Sequence, residues 1–486
     1  MTVLRRSPFK VDHIEDDPNA FGLRPEAVRF CAEALFNRQS VLISGERGIG
    51  KSSLANQFKT IYSGTATLLE RSNISVRFPR YLCGYTFCTS DTSLADVCAS
   101  ILFNLESQCL LLRSTTVKNT KVEFTLDLKV FKAQLQTEIV RQKPGVLAAE
   151  FVAALEVLHR SAALLGMEGI NIIIDEVDEL HPTVNFGRFI KAVHERLQQQ
   201  GIAEVTFTLT GQRGVFERLF QEEQAIERIV RHVPITILSP EESRHILTFA
   251  ADHAHPPFAI GTEAQELILA LATGHPYAVH LLGNAAFGHM EDEERMKRDD
   301  VLRGIGDVLT SDKAEKYVLH LRDLTDPERL VLTSASLYAS RQVPVYIPPD
   351  WVCNNLLGTL PADITVEQLL HGLTTKDYLV EGPQTQWYRF RDELFRVFLS
   401  QFVFAHRERE EERLAERKQK LDLLIDRERQ RGDMKRFLGD YRQSARQLYP
   451  DRPPMLEYTL EVLNVSDVAA DWEWEHYERG DLLSFE

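Results

Sequence analysis

The sequence predicts an α/β fold built on a parallel sheet, with helical units after it. Two observations carry this. Through roughly the first half of the 486 residues, short apolar runs alternate with helix-length segments. That is how strands buried on both faces read between their covering helices. Past Ser239 the runs thin out and apolar residues recur mainly at helical spacing. A chain of this length can hold two to four domains, each with its own core.

The elements follow in order. Residues 1–16 read as a loose N-terminal arm. A helix is expected from Pro25 to Phe36, with Val28, Cys31, Ala32, Leu35 and Phe36 on one face. Val41-Leu42-Ile43 is a short buried strand, then come a Gly-rich stretch and helical Leu54, Phe58 and Ile61. A second strand is expected at Tyr85–Cys88 and a helix over Leu94–Leu105. Residues 121–131 alternate apolar and polar, which predicts a half-buried strand inside an insert at about 113–143. Pro144-Gly145 closes the insert, and an Ala/Leu-rich helix runs from Val146 to a C-cap at Gly166. Ile172-Ile173-Ile174, Val205–Leu209 and Ile235–Leu238 complete five strands, giving a sheet domain over 17–238.

Ser239-Pro240-Glu241-Glu242 is a capping box with proline at the first helical position. It opens a helical unit, 239–324, interrupted at Gly274-His275-Pro276. Residues 325–404 show helix, helix and hairpin in winged-helix order: Thr325–Tyr338, Val366–Leu373, then Tyr378–Val380 and Trp387–Phe390 about a Gly382-Pro383 turn. Glu393–Phe404 closes this unit as another helix. Residues 405–448 are charge-dense, with pairs such as Glu416 and Lys420, and read as solvent-exposed helix. Residues 449–486 form an acidic tail, with nine acidic residues and one basic from Glu457 onward.

Composition narrows the function. With 44% hydrophobic and 26% charged residues the chain is of soluble globular type. No apolar run approaches the roughly 18 residues of a membrane span. The N-terminus has no apolar stretch after Arg5-Arg6, so it does not read as a signal peptide. The six cysteines contain no C-x-x-C pair and read as reduced, mostly buried thiols of a cytoplasmic protein. A net charge of −15 disfavours coating nucleic acid by charge alone. Asp252, His253 and His255 are spaced poorly for a metal on a helix.

Gly45-Glu46-Arg47-Gly48-Ile49-Gly50-Lys51-Ser52 matches G-x-x-x-x-G-K-[ST] in full, with a strand before it and a helix after. This reads as the phosphate-binding loop of a P-loop NTPase. Its glycines let successive N–H groups point at phosphate oxygens. Lys51 would bridge the β- and γ-phosphates, Ser52 would hold Mg²⁺, and Ser53 extends the loop into the helix. Ile172-Ile173-Ile174-Asp175-Glu176 supplies the companion carboxylates: Asp175 toward Mg²⁺ and Glu176 to activate the attacking water. The adjacent glutamate implies that ATP is hydrolysed as well as bound. Asp178 reads equally as a helix cap.

Asp175-Glu176-Val177-Asp178-Glu179-Leu180 resembles the Walker B motif of AAA+ ATPases in the origin-recognition initiator clade. Phe21-Gly22-Leu23-Arg24 resembles the box that precedes the first AAA+ strand and packs near the adenine. Ser239–Glu242 resembles the strand-to-lid junction seen there and in STAND switch ATPases. The resemblance spans about 17–300, more weakly to 404, and implies a five-stranded AAA+-type core, a helical lid and a winged helix. It also implies a polar sensor on the fourth strand, where Gln212 is the candidate γ-phosphate sensor with Arg213 beside it; a plain Gly-rich strand end is the alternative. Arg228 and Arg231 stand where an arginine finger acts in trans, or else line a solvated helix. The lid lacks the initiators' sensor arginine. Gly274-His275-Pro276 looks instead like the STAND G-x-P, whose Pro276-equivalent proline packs on the adenine, although a proline starting a helix also fits.

Residues 326–404 hold six Lys/Arg against nine Asp/Glu, so a protein-facing wing is favoured over a DNA-facing one. The expectation is an ATP- and Mg²⁺-dependent switch that forms a homo-oligomer and signals to a protein effector. The alternative is an ATPase assembling on duplex DNA through its core or the insert. No membrane role is expected.

Overall fold

In the computed structural model, the structure describes residues 6–116, 144–291, 294–310, 315–338, 345–356, 360, 364–382 and 387–400. The strand expected at 121–131, most of the insert, the charged region at 405–448 and the acidic tail lie outside them. The chain divides into two compact units: 10–250 with 274–277, and 251–273 with the residues from 278 onward and the first nine.

The first unit is a five-stranded parallel sheet in the order β2-β3-β4-β1-β5. Its strands are β1 (Ser40–Ser44), β2 (Tyr81–Phe87), β3 (Gly169–Asp175), β4 (Val205–Gly211) and β5 (Val230–Pro234). Strand β1 pairs with β4 and β5, Val41 facing Thr208 and Arg231. Ile172-Ile173-Ile174 are all fully buried because both sheet faces are covered. The period of two splits them: Ile172 and Ile174 enter one core, Ile173 the other. Helices α1 (Pro25–Phe36) and α2 (Lys51–Tyr62) cover the Ile173 face, burying Leu35, Leu54, Phe58 and Ile61 with it. On the other face lie α4 (Leu94–Thr116), α5 (Pro144–Leu164) and α6 (Phe186–Gln199), with α3 (Thr67–Arg71) a single turn between α2 and β2.

Four expectations are corrected. The fifth strand is Val230–Pro234, ahead of Ile235–Leu238. Residues 10–16 are packed: Lys10 pairs with Glu15 and Asp16 at 2.8 Å each, and buried Gln57 donates to the carbonyl of Glu15. Helix α4 outruns Leu105 to end at Thr116, inside the expected insert. Its stretch Leu94–Leu112 has a mean hydropathy of 1.3 and is long and apolar enough by composition to cross a membrane. Its inward side belongs to the core, where Val97, Cys98, Ile101 and Leu105 pack fully buried.

The second unit begins within α9 (Pro240–Asp252), which follows α7 (Val215–Glu222) and α8 (Ile226–Ile229). The expected capping box is present: the Glu242 carboxylate accepts from the Ser239 N–H, and Ser239 Oγ from the Glu242 N–H. Helices α10 (Thr262–Ala272), α11 (Pro276–Gly288), α12 (Arg298–Thr310) and α13 (Glu315–Arg322) follow. An unforeseen two-residue parallel pair joins Ala259–Ile260 to Arg295–Met296. After α14 (Asp326–Ser336), an unforeseen helix α15 (Pro349–Asn355) precedes α16 (Val366–Thr375). Strands Leu379–Glu381 and Tyr388–Phe390 pair antiparallel, and Ile347 bridges to Tyr388.

Candidate nucleotide-binding site

The loop between β1 and α2 has the shape its glycines predict. Gly48 (φ 73°) and Gly50 (φ 95°) adopt the left-handed region that costs other residues energy. A Cβ on Gly45 would stand 2.8 Å from the Ile235 carbonyl oxygen, so nothing larger fits. The loop ends in the N-terminus of α2, whose first residues are Lys51, Ser52 and Ser53, with no acidic residue in the first turn. That leaves the helix's positive end available to phosphate. Lys51 is buried and its Nζ donates to the Glu46 carbonyl at 2.8 Å. Burial lowers its pKa, against the pull of Asp178, Asp175 and Glu176. Ile49 is buried, while Arg47 is exposed and close enough to act electrostatically on Lys51 and Glu176.

Asp175 ends β3 on the α2 face of the sheet. Its Oδ1 accepts from Ser52 Oγ at 3.0 Å and from the Thr210 hydroxyl; its Oδ2 accepts from Tyr85 Oη at 2.7 Å. The chain turns left-handed at Glu176 (φ 56°), whose N–H donates to Thr210 Oγ1 at 3.1 Å. Thr210 therefore serves both carboxylate-bearing residues. Burial and then Asp175 raise the Glu176 carboxyl above its ordinary range, with Arg47 opposing. A raised carboxyl suits a base that must accept a proton. The turn is braced from outside: Arg218 donates to the carbonyls of Val177, Asp178 and Leu180, and Asp178 accepts from the Gln212 N–H at 2.9 Å. Asp178 thus caps the β4 end and not its own short helix.

Other predicted residues fall as follows. Ser53 Oγ is turned to the N-terminal arm, accepting from the Glu15 N–H at 3.2 Å. Arg24 is spent on carbonyls: its guanidinium donates to Ile49 O at 2.6 Å and to Thr236 O, while its own N–H donates to Glu242. Burial lowers its pKa to about 10, with Glu242 opposing. It thus ties the loop to the segment after β5, beside a cleft lined also by Phe30, Arg231 and Ile237. Gln212 is exposed, and Arg213 Nη2 lies 2.6 Å from Glu46 Oε1. Arg231 is inside β5 and not before it; its guanidinium sits over Phe30 at 5.1 Å and 3.8 Å from Glu33. Arg228 is exposed on α8.

The Gly274–Tyr277 segment lies on the loop. Gly274 (φ 79°) is obligatory, because a Cβ there would come within 2.4 Å of the Leu238 carbonyl oxygen. His275 Nε2 is 2.9 Å from Glu46 Oε2, and the Tyr277 N–H donates to Gly48 O at 3.4 Å. Pro276 Cγ approaches to 3.8 Å of the place a Gly50 Cβ would take.

Three residues of this site escaped the sequence reading: Tyr85, Thr210 and Arg218. Thr210 was signalled. Thr206, Thr208 and Thr210 alternate along β4, and Asn171 and Asp175 share one face of β3, so a polar row was due across the two strands. Asn171 does bond both Thr206 and Thr208. Arg218 carried no local signal.

The strand order, with β1 between β4 and β5 and the carboxylates ending β3, makes this a P-loop NTPase fold of AAA+ type. No family model and no curated protein matches the sequence. Among solved structures, the chain is similar to the Walker-type ATPase of Pyrococcus abyssi, at 16% identity and TM-score 0.47, over 82% of this chain and 99% of that one. The Aeropyrum pernix ORC2 protein, in ADPNP–ADP complexes, matches at 13% identity and TM-score 0.49, over 82% and 98%. The Aeropyrum pernix ORC1 protein, in complex with DNA, matches at 16% and 0.39, over 82% and 96%. These are likenesses of outline, and the fold rests on the sheet order and loop geometry.

Proposed function

We propose that the chain binds ATP with Mg²⁺ and hydrolyses it, acting as an AAA+/STAND-type switch whose nucleotide state controls oligomerisation and a signal to a protein partner. The observation that carries the ATP-binding and hydrolysing part of this reading is the convergence of Lys51, Ser52, Asp175 and Glu176 at the mouth of one loop. The loop N–H groups and the α2 N-terminus hold the phosphates, and Lys51 neutralises the γ-phosphate. A buried carboxylate beside a serine hydroxyl is a hard-oxygen pair of the kind Mg²⁺ takes, leaving its other positions to phosphate and water. Bound there by Ser52 and Asp175, the ion would offset charge on the phosphates. Glu176 takes the proton of the attacking water, and Thr210 fixes its backbone relative to Asp175. Gln212 and Arg213, just past the end of β4, would read the γ-phosphate. Pro276 lies against the loop where a lid residue would sense an adenine.

Residues 239–324 then serve as the lid and 325–404 as a winged helix facing protein. Arg228, exposed on α8, is the better finger in trans, since Arg231 is engaged by α1. Glu176→Gln is expected to retain ATP and to scatter light as a larger assembly; a monomer with wild-type turnover would refute the proposal. ATP-dependent, salt-sensitive binding to plain duplex DNA would instead mark a DNA-loading ATPase.

A further inference from the structure

Glu46 is a loop residue whose side chain phosphate binding does not require. Its carboxylate nevertheless joins two other parts of the site. Oε1 is 2.6 Å from Arg213 Nη2, beyond the end of β4, and Oε2 is 2.9 Å from His275 Nε2, beside Pro276. The Glu46 and His275 side chains are each 18% exposed and Arg213 is 50% exposed. The same residue's carbonyl holds Lys51 at 2.8 Å. One acidic side chain inside the loop therefore meets the strand that carries Thr210 and the segment that lies on Gly48 and Gly50.

A guanidinium that pairs with a carboxylate is equally suited to a phosphate, and prefers the one with more charge. In a triphosphate the γ-phosphate would lie beyond Lys51, toward the neighbouring ends of β3 and β4, where Asp175 and Glu176 follow one strand and Arg213 the other. We infer that Glu46 sets the discrimination between nucleoside tri- and diphosphate at this site, by competing with the γ-phosphate for Arg213. When the γ-phosphate takes Arg213, Glu46 keeps its contact with His275, so the exchange is felt at the 274–277 segment. This rests on the ATP-site proposal and names what within that site tells ATP from ADP. Glu46 is a specificity-determining residue here and Arg213 the group it competes for.

The effect is modest, because half of Arg213 is open to solvent and the pair is screened. The test is titration of the full chain, with Mg²⁺, by fluorescent ADP and by a fluorescent, slowly hydrolysed ATP analogue. Glu46→Gln is expected to raise triphosphate affinity about three- to tenfold more than diphosphate affinity. Arg213→Gln is expected to weaken the triphosphate more than the diphosphate. In the double variant the Glu46 change no longer moves the ratio. Equal factors for both nucleotides in Glu46→Gln, or an undiminished ratio change without Arg213, would overturn the inference, the latter exposing a plain field effect. Should Glu46→Gln fail to fold, Glu46→Asp keeps the charge but shortens the reach, and is expected to move the ratio the same way by less; an unmoved ratio there overturns the inference too. A wild type that binds neither nucleotide removes the ATP-site proposal itself; one that binds both with an unmoved ratio removes this inference alone.

Discussion

Replacing Thr210 with valine isolates the link between the two carboxylate-bearing residues. Valine matches threonine in shape, so no cavity opens, and what is lost is the hydroxyl. That hydroxyl donates to Asp175 Oδ1 and accepts the Glu176 N–H at 3.1 Å, in a side chain with no exposure to water. Losing a hydrogen bond to a charged group costs about 1.5–3 kcal/mol, and leaving a buried donor unmade adds about 1–3 kcal/mol. Together they take roughly 2.5–6 kcal/mol from this unit, at about 2–4 °C of melting temperature per kcal/mol for a unit of this size. Turnover is expected to fall about 10- to 100-fold, since both carboxylates lose their common reference. Thr210→Ser keeps the hydroxyl and should recover most of the rate. The assay is steady-state phosphate release beside a thermal melt of the same preparations. A valine variant that melts and turns over like the serine variant would refute the reasoning.

Other perturbations read other contacts. Tyr85→Phe removes the 2.7 Å bond to Asp175 Oδ2 and is expected to raise the Mg²⁺ needed for half-maximal turnover about three- to tenfold, which a packing role alone would not do. Gly274→Ala puts a Cβ against the Leu238 carbonyl at φ 79°, and should weaken nucleotide binding measured by calorimetry, at a stability cost of roughly 1–3 kcal/mol. The folded-state pKa of Glu176 is raised, so between its unfolded and folded values the native chain holds more protons and stability falls as pH rises. Glu176→Gln should therefore melt higher than wild type at neutral pH, the gap closing below the ordinary carboxylate range. For the same reason the acid limb of wild-type turnover should lie above that range; a limb at an unshifted carboxylate position counts against Glu176 as the base.

The strongest sequence signals were those in which chemistry and backbone geometry demand the same residues. Gly48 and Gly50 had to be left-handed, and Asp175 had to end a strand buried on both faces, so motif and fold point to one place. The fifth strand was misplaced because β5 is an edge. One flank pairs with β1 and the other has no strand partner among the described residues, so Arg231 and His232 are tolerated where a central strand would carry valine or isoleucine. The more apolar Ile235-Thr236-Ile237-Leu238 that follows was the stronger lure; its Ile235 N–H still donates to the Ser44 carbonyl at 2.7 Å. Arg24 and Arg218 act on carbonyls contributed by distant residues, and no spacing in a sequence encodes that. Gln212 was preferred to Thr210 by position at the strand's end, whereas the side-chain alternation along the strand decides which of the two faces Asp175.

The left-handed backbone at Glu176 has one more consequence. Glutamate adopts that conformation reluctantly, at a cost of order 1 kcal/mol, where glycine or asparagine would settle more easily. The proposed base is thus held under tension by the Arg218 bracing and the Thr210 hydroxyl, and it would recoil if either let go. A relaxed substitute at this position would gain ease of folding and lose aim, so the turn stores, as local discomfort, the accuracy with which its carboxylate addresses water.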